Sequence, residues 1–373
     1  TEVLVKELND GDINWMLEIG QKQQLASGDI LFQEQSEIDA LYVILSGTLA
    51  AAIASSKKSA LGRAFAELEG DQELEQEIDR YTTGEVLGEI AFLKTGPSVT
   101  RVEAAERTVV LAVPHEKLLA KIKQDIGFAA RFYRAIAILM LDRFEKLIKQ
   151  YSRRKNLQIQ PLHDGPLTFG ELSDSDVDWL SENGLVEKVP ADTILIRGGR
   201  PAENLYVLLE GSLSVAISED KRNTLTRVFA LLETSDQNTP SEEIPEREFA
   251  RSSRGEMLGQ TALLDSRLSS FTFKAIEDSL VLAIPRQKLL IKLQQDPGMS
   301  ARFYRVIGML VAERLQGLIS RLGYGKSSYQ QGQKLSLDSE YEDEINLDVM
   351  DNITLGGARF DWMLRRLKAR RII

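Results

Sequence analysis

Apolar residues recur along this chain in two rhythms. Between Ile30 and Ile53 they nearly alternate in short runs broken by glycine. Leu41-Tyr-Val-Ile-Leu45, the Ser46-Gly47 turn and Thr48–Ile53 predict two strands joined as a β-hairpin. Further on, Phe128, Phe132, Ile136, Leu139, Met140 and Leu147 fall at three- and four-residue steps, the spacing of one face of a long helix, with Asp125 and Gly127 marking its start. Both rhythms return. Leu205–Ile217 repeats the hairpin, and Met299 through Leu310 to Leu318 repeats the helix after Asp296-Pro297-Gly298. A short helix opens each half, at Asn9-Asp-Gly-Asp12 before Trp15 and at Ser173-Asp-Ser-Asp176 before Trp179; both openings are capping signatures.

The return is a duplication. LYV-x-L-x-G-x-L occurs twice, 164 residues apart, and the same offset pairs Trp15 with Trp179 and Phe65 with Phe229. Val110–Ile148 and Val281–Ile319 match at an offset of 171 and share ARFYR, at Ala130–Arg134 and Ala301–Arg305. About seven residues are therefore inserted in the second copy after Leu232. Several short strands followed by a long helix predict a mainly β fold with flanking helices, in which each copy is a small barrel or jelly roll. The expected organisation is a first domain over 1–150, a linker over 151–169 and a second domain over 170–323. A disordered acidic linker over 324–354 and a basic amphipathic segment over 355–373 follow. Acidic stretches at Glu67–Asp79 and Glu233–Glu248 read as solvated loops.

Composition narrows the chemistry. A length of 373 residues, 43 % hydrophobic and 27 % charged, suits a soluble chain of two domains. The net charge of −10 argues against general nucleic-acid binding. The polar start TEVLVKELND gives no signal-peptide pattern, and with zero cysteines there is no thiol chemistry, so a cytoplasmic location is expected. His115 and His163, the only two histidines, sit near Pro114 and Pro161 in turn-like contexts without metal-ligand spacing. No metal site, cofactor or catalytic constellation is expected, and the chain reads as non-enzymatic.

Between strands and helix stands Gly84-Glu-Val-Leu-Gly-Glu-Ile-Ala-Phe-Leu-Lys-Thr-Gly-Pro-Ser-Val-Thr-Arg-Val-Glu-Ala104, repeated as Gly255-Glu-Met-Leu-Gly-Gln-Thr-Ala-Leu-Leu-Asp-Ser-Arg-Leu-Ser-Ser-Phe-Thr-Phe-Lys-Ala275. Each is followed by a strand closing on proline, Val109–Pro114 and Leu280–Pro285. These segments resemble the phosphate-binding cassette of cyclic-nucleotide-binding domains, found in bacterial catabolite activators, kinase regulatory subunits and gated channels. The resemblance covers roughly 5–150 and 168–322. It implies tandem β-jelly-roll (double-stranded β-helix) domains, each ending in a long helix. It also implies a site in which helix-start N–H groups and an arginine hold a cyclic phosphate while a glutamate accepts the ribose hydroxyl.

Carried over residue by residue, the candidate ligand residues of the first copy are Gly88, Glu89, Ile90, Ala91, Ser98, Val99 and Arg101. Those of the second are Gly259, Gln260, Thr261, Ala262, Ser269 and Ser270. The departures matter. Serine stands at the arginine position in both copies, as Ser98 and Ser269, and Gln260 replaces the glutamate in the second. Arg101 and Arg267 lie at offsets that do not naturally replace the missing guanidinium. Cyclic-nucleotide binding is thus open, and a different small ligand is the alternative.

The tail argues against a DNA-binding role, since the roughly 50 residues after the last helix hold no helix-turn-helix pattern. Phe360, Met363, Leu364 and Leu367 fall on one face of a basic amphipathic segment, able to dock on a partner, on an anionic membrane or on the chain itself. The final RRLKARRII also resembles the lead-in to the peptidase domain of bacterial peptidase-containing ABC transporters. The reading at this point is a regulatory protein that senses a small ligand or works through protein interactions. Its partners would be another protein or a second copy, met through the terminal helices and tail. The alternatives are a ligand-independent scaffold or the regulatory N-terminal part of such a transporter.

Overall fold

The structure is a computed structural model and describes residues 2–54, 75–93, 98–151, 164–218, 246–260, 263–264, 268–322 and 347–369. The described chain falls into two units. One comprises Thr1–Met140 with Val311–Asn346, the other Leu141–Leu310 with Leu347–Ile373.

The first unit opens with helices α1 (Glu2–Glu7) and α2 (Asp10–Ile19). The expected capping box forms. The Asn9 side chain accepts from the Asp12 N–H at 2.9 Å, and the Asn9 N–H donates to Asp12 at 3.1 Å, which satisfies donors that a helix start leaves orphaned. Strands β1 (Gln21–Leu25), β2 (Ile30–Phe32), β3 (Ala40–Ser46), β4 (Thr48–Ala54), β5 (Glu75–Thr82), β6 (Val86–Leu87), β7 (Arg101–Ala104) and β8 (Thr108–Pro114) follow. They form two four-stranded sheets, ordered β1-β8-β3-β6 and β2-β7-β4-β5, with every pairing antiparallel. Inner faces meet over Leu41, Ile44, Leu49, Ile53, Val102 and Val113, all buried.

The hairpin expected from Leu41–Ile53 does not form. β3 pairs with β6 and β8, whereas β4 pairs with β5 and β7 in the other sheet. The reason lies at Gly47. Its φ is 91°, and a Cβ there would meet the Arg107 carbonyl at 2.7 Å. The Thr48 N–H that a hairpin would use is instead taken by Thr108 Oγ1 at 3.1 Å. The chain turns a corner from one sheet into the other, as a jelly roll requires.

The second unit repeats this layout. α5 (Asp164–Glu171) and α6 (Asp174–Asn183) lead into β9 (Leu185–Val189), β10 (Ile194–Ile196), β11 (Asn204–Glu210), β12 (Leu213–Ser218), β13 (Glu246–Ser252), β14 (Met257–Leu258), β15 (Thr272–Ala275) and β16 (Ser279–Pro285). The sheets are β14-β11-β16-β9 and β10-β15-β12-β13, the same order read from the opposite edge in the first. Even the bulge is repeated, between Ala51 and Ala52 in β4 and between Val215 and Ala216 in β12. A second hairpin expectation, Leu205–Ile217, is corrected in the same way, since β11 and β12 lie in different sheets.

Each closing strand leads into a ten-residue helix, α3 (His115–Gln124) or α7 (Arg286–Gln295), before the long helices α4 (Ile126–Tyr151) and α8 (Pro297–Leu322). The apolar stripe expected on α4 is buried at Phe128, Phe132, Ile136, Met140 and Leu147. The segment expected as a linker, 151–169, contains most of α5. The acidic stretches end in strands β5 and β13, while residues 55–74 and 219–245, with Phe65 and Phe229, lie outside the described residues.

The tail holds a last helix, α9 (Leu347–Ala369), which starts inside the segment expected to be disordered. It packs on α5 and α6 of the second unit. Phe360, Met363, Leu364 and Leu367 are buried, and Phe360 meets Phe169 with ring centroids 5.3 Å apart. Arg359 donates to Asp174 at 2.7 Å and to the carbonyl of Gly170 at 2.9 Å, near the end of α5 where carbonyls lack helical partners. Arg366 pairs with Asp178 and Glu182. Of the three docking modes open to this segment, the described one is on the chain itself.

Candidate functional site

The cassette of the first roll begins at Gly88. Its φ of 84° lies in the left-handed region, and a Cβ would meet the Ala40 carbonyl oxygen at 2.4 Å, so only glycine fits here. The turn it permits starts a short 3-10 helix, Glu89–Phe92. The N–H groups of its first turn, Glu89 to Ala91, precede the helical hydrogen-bond ladder. The Glu89 side chain is turned inward, with the residue only 1 % exposed. The second roll reproduces the geometry at Gly259, with φ 85° and a Cβ that would meet the Asn204 carbonyl at 2.8 Å. Its glutamate counterpart, Gln260, is buried, and its Oε1 has no partner among the described residues. Thr261 and Ala262 lie outside the described residues, as does Arg267.

Serines replace the arginine in both rolls, and the structure shows how their hydroxyls are used. Ser98 Oγ donates to the Thr100 carbonyl at 2.8 Å and accepts the Thr100 N–H at 3.2 Å. Ser269 Oγ does the same with Phe271, at 2.7 and 3.3 Å. Both backbones are tied to the preceding loop: Ser98 N–H donates to Ser36 at 2.8 Å and Ser269 N–H to Arg200 at 2.9 Å. Each hydroxyl folds onto its own loop, a local bonding mode that serine and threonine favour. Arg101, on β7, pairs with Glu103 at 2.6 Å. Val99 and Ser270 are half-buried beside these serines, and Ser270 Oγ donates to Glu145 at 2.6 Å.

Two features of the site were not apparent from sequence. The first is the junction between cassette and closing helices. Phe92, at the end of the 3-10 turn, lies 4.5 Å from the His115 ring and 5.4 Å from Phe132, centroid to centroid. His115 Nε2 is 3.3 Å from the Ala91 carbonyl. His115, for which a surface or turn role is expected, stands where the chain turns from β8 into α3 and joins that helix to the cassette. Trp15 extends the cluster through Phe128 at 5.7 Å.

The second is what the repeated ARFYR does. Arg131 reaches Asp12 through two hydrogen bonds of 2.7 and 3.0 Å, and Arg302 reaches Asp176 at 2.6 and 3.0 Å. Arg134 pairs with Glu7 at 3.0 Å, and Arg305 with Glu171. These forks fasten the long helix to the helices that open each roll. Burial alone would raise the Asp176 carboxyl, but the Arg302 guanidinium and two hydrogen bonds from Ser173 outweigh it and hold the group below the ordinary range. The helix junctions are set alike: Asp125 accepts from Lys121 at 2.8 Å and from the Phe128 N–H at 2.9 Å, while Asp296 accepts from Lys292 and the Met299 N–H at 2.9 Å. Among the described residues no acidic or histidine cluster could hold a metal ion, and no helix is long and apolar enough to cross a membrane.

Residues 22–125 match the family model described as the cyclic nucleotide-binding domain. The second roll repeats the first in strand order and closing helices, so the chain carries tandem β-jelly-roll modules. Among solved structures it is similar to the regulatory domain of Toxoplasma gondii PKA with cAMP, at 16 % identity over 79 % of this chain and 89 % of that one, with a TM-score of 0.28. It is also similar to the regulatory subunit of a cAMP-independent protein kinase A from Trypanosoma brucei, at 17 % identity over 80 % and 89 %, TM-score 0.25. A third likeness is to the catabolite activator protein of Thermus thermophilus, at 18 % identity over 52 % and 76 %, TM-score 0.32. No curated protein matches the chain.

Proposed function

We propose that the chain is a non-catalytic regulatory protein whose first roll senses a small ribose-bearing ligand and does not depend on its phosphate, while the second roll is structural. The observation that carries this reading is a contrast within one cassette. Glu89 stays buried at the head of the 3-10 turn, whereas the hydroxyl at the arginine position, that of Ser98, is engaged with Thr100. A cyclic phosphate would meet backbone donors there but no guanidinium. Losing a charged hydrogen bond of that kind weakens binding roughly ten- to a hundredfold. A nucleoside loses nothing by the same replacement.

Ligand closure on the turn would shift Phe92, and with it His115 and Phe132, so the response travels into α3 and α4 as a change in the population of helix positions. Calorimetric titration with adenosine, guanosine, cyclic AMP and cyclic GMP tests the reading. Heat with a nucleoside that disappears in Glu89→Ala supports it, and no heat with any of the four overturns it. A ligand-independent assembly role is the second reading, favoured by the way the serine loops of both rolls satisfy themselves.

A further inference from the structure

The second cassette has a neighbour in the end of the first long helix. The last part of α4, Leu141–Tyr151, belongs to the second unit. There Phe144 is buried with its ring 6.0 Å from that of Phe271, and the adjoining Glu145 carboxylate accepts the Ser270 hydroxyl at 2.6 Å. Glu145 keeps only 13 % of its side chain exposed, and it also pairs with Lys149 of the same helix at 3.6 Å. An anion and an aromatic ring from the chain itself thus sit at the serine loop, on the residue next to Ser269, which stands at the arginine position.

The equivalent positions in the first copy cannot do this. Ser270 corresponds to Val99, Phe271 to Thr100, and Glu145 to Gln316 in the second long helix. The carboxylate, the hydroxyl that receives it and the ring pair occur together in the second roll alone.

We infer that the second cassette is filled from within: the Glu145 carboxylate occupies its anion subsite as a tethered stand-in for a ligand, and Phe144 covers it. The cassette then holds a helix in place of a soluble anion. This goes beyond the sensing role of the first roll, because it needs no ligand there. It also accounts for Ser270 keeping a hydroxyl beside Ser269, whose own hydroxyl is already engaged.

A double-mutant cycle read by amide hydrogen exchange tests the inference on the full chain. Glu145→Ala and Ser270→Ala should each speed exchange in 141–148 and 269–271 by roughly tenfold, the scale of one charge-assisted hydrogen bond. The double variant should show the same tenfold, because the two groups act on each other. Inorganic phosphate in excess should slow exchange at 269–271 in Glu145→Ala and leave the parent protein unchanged. Unaltered exchange in the single variants, multiplied effects in the double, or no response of Glu145→Ala to phosphate would each overturn the inference.

Discussion

Arg131 grips Asp12 with two hydrogen bonds of 2.7 and 3.0 Å across 119 residues of sequence, and the Asp12 side chain beneath it is only 5 % exposed. The same carboxylate closes the capping box of α2, so one buried group serves a helix start and a tertiary clamp at once. Removing the arginine leaves that charge buried without its partner. Arg131→Met should therefore cost about 2 kcal/mol, less than a fully buried pair because the guanidinium is partly exposed. Thermal unfolding of the first unit should shift down by about 4–8 °C. Arg302→Met should do the same to the second unit through Asp176, and calorimetric scans of the two variants separate the effects.

Acid should loosen the helix junctions. Asp125 is held below its ordinary value of 3.8 by the Lys121 ammonium and the Phe128 N–H, and Asp296 by the Met299 N–H and Lys292. A depressed folded value means the stabilisation is full above the unfolded value and is lost as pH falls through the folded one. Urea midpoints should accordingly drop as pH falls below about 4. The drop should be shallower in Asp296→Asn, which has already lost the titrating group.

Gly88→Ala should disable the first cassette. The added Cβ would meet Ala40 at 2.4 Å with φ at 84°, a clash and a strain together costing about 2 kcal/mol or more. Gly259→Ala, with its nearest contact at 2.8 Å, should cost less. Comparing midpoints of chemical unfolding for the two variants checks the order.

Phe360→Ala should free α9. Phe360 is buried against Phe169, and truncating a buried aromatic costs about 3–5 kcal/mol, more than a docked single helix can spare. Limited proteolysis should then cut within 347–369 while the second roll stays intact; cleavage at the parent rate would contradict the docking described above.

Much of this architecture can be read from residue order. The repeat, the capping boxes, the glycine of each cassette and the apolar faces of α4 and α9 are local patterns, and local patterns carry period and capping chemistry. What escaped was long-range. Alternation in Leu41–Ile53 marks strands but does not choose their partners, and only the Gly47 corner sends β4 to the other sheet. The role of ARFYR depends on Asp12 and Glu7, far away in the chain. Serine at position 98 signals a missing guanidinium, yet the spacing cannot say that its hydroxyl bonds to Thr100. Likewise, nothing local links Glu145 to Ser270, since 125 residues separate them.

Whether the first cassette discriminates by phosphate decides whether it is a nucleoside site. Titration of guanosine and cyclic GMP into the parent protein and into Ser98→Arg measures this directly. The parent should bind the cyclic monophosphate no more tightly than the nucleoside, and Ser98→Arg should tighten the cyclic monophosphate alone by roughly ten- to a hundredfold. A parent protein that already prefers cyclic GMP over guanosine by tenfold or more would contradict it.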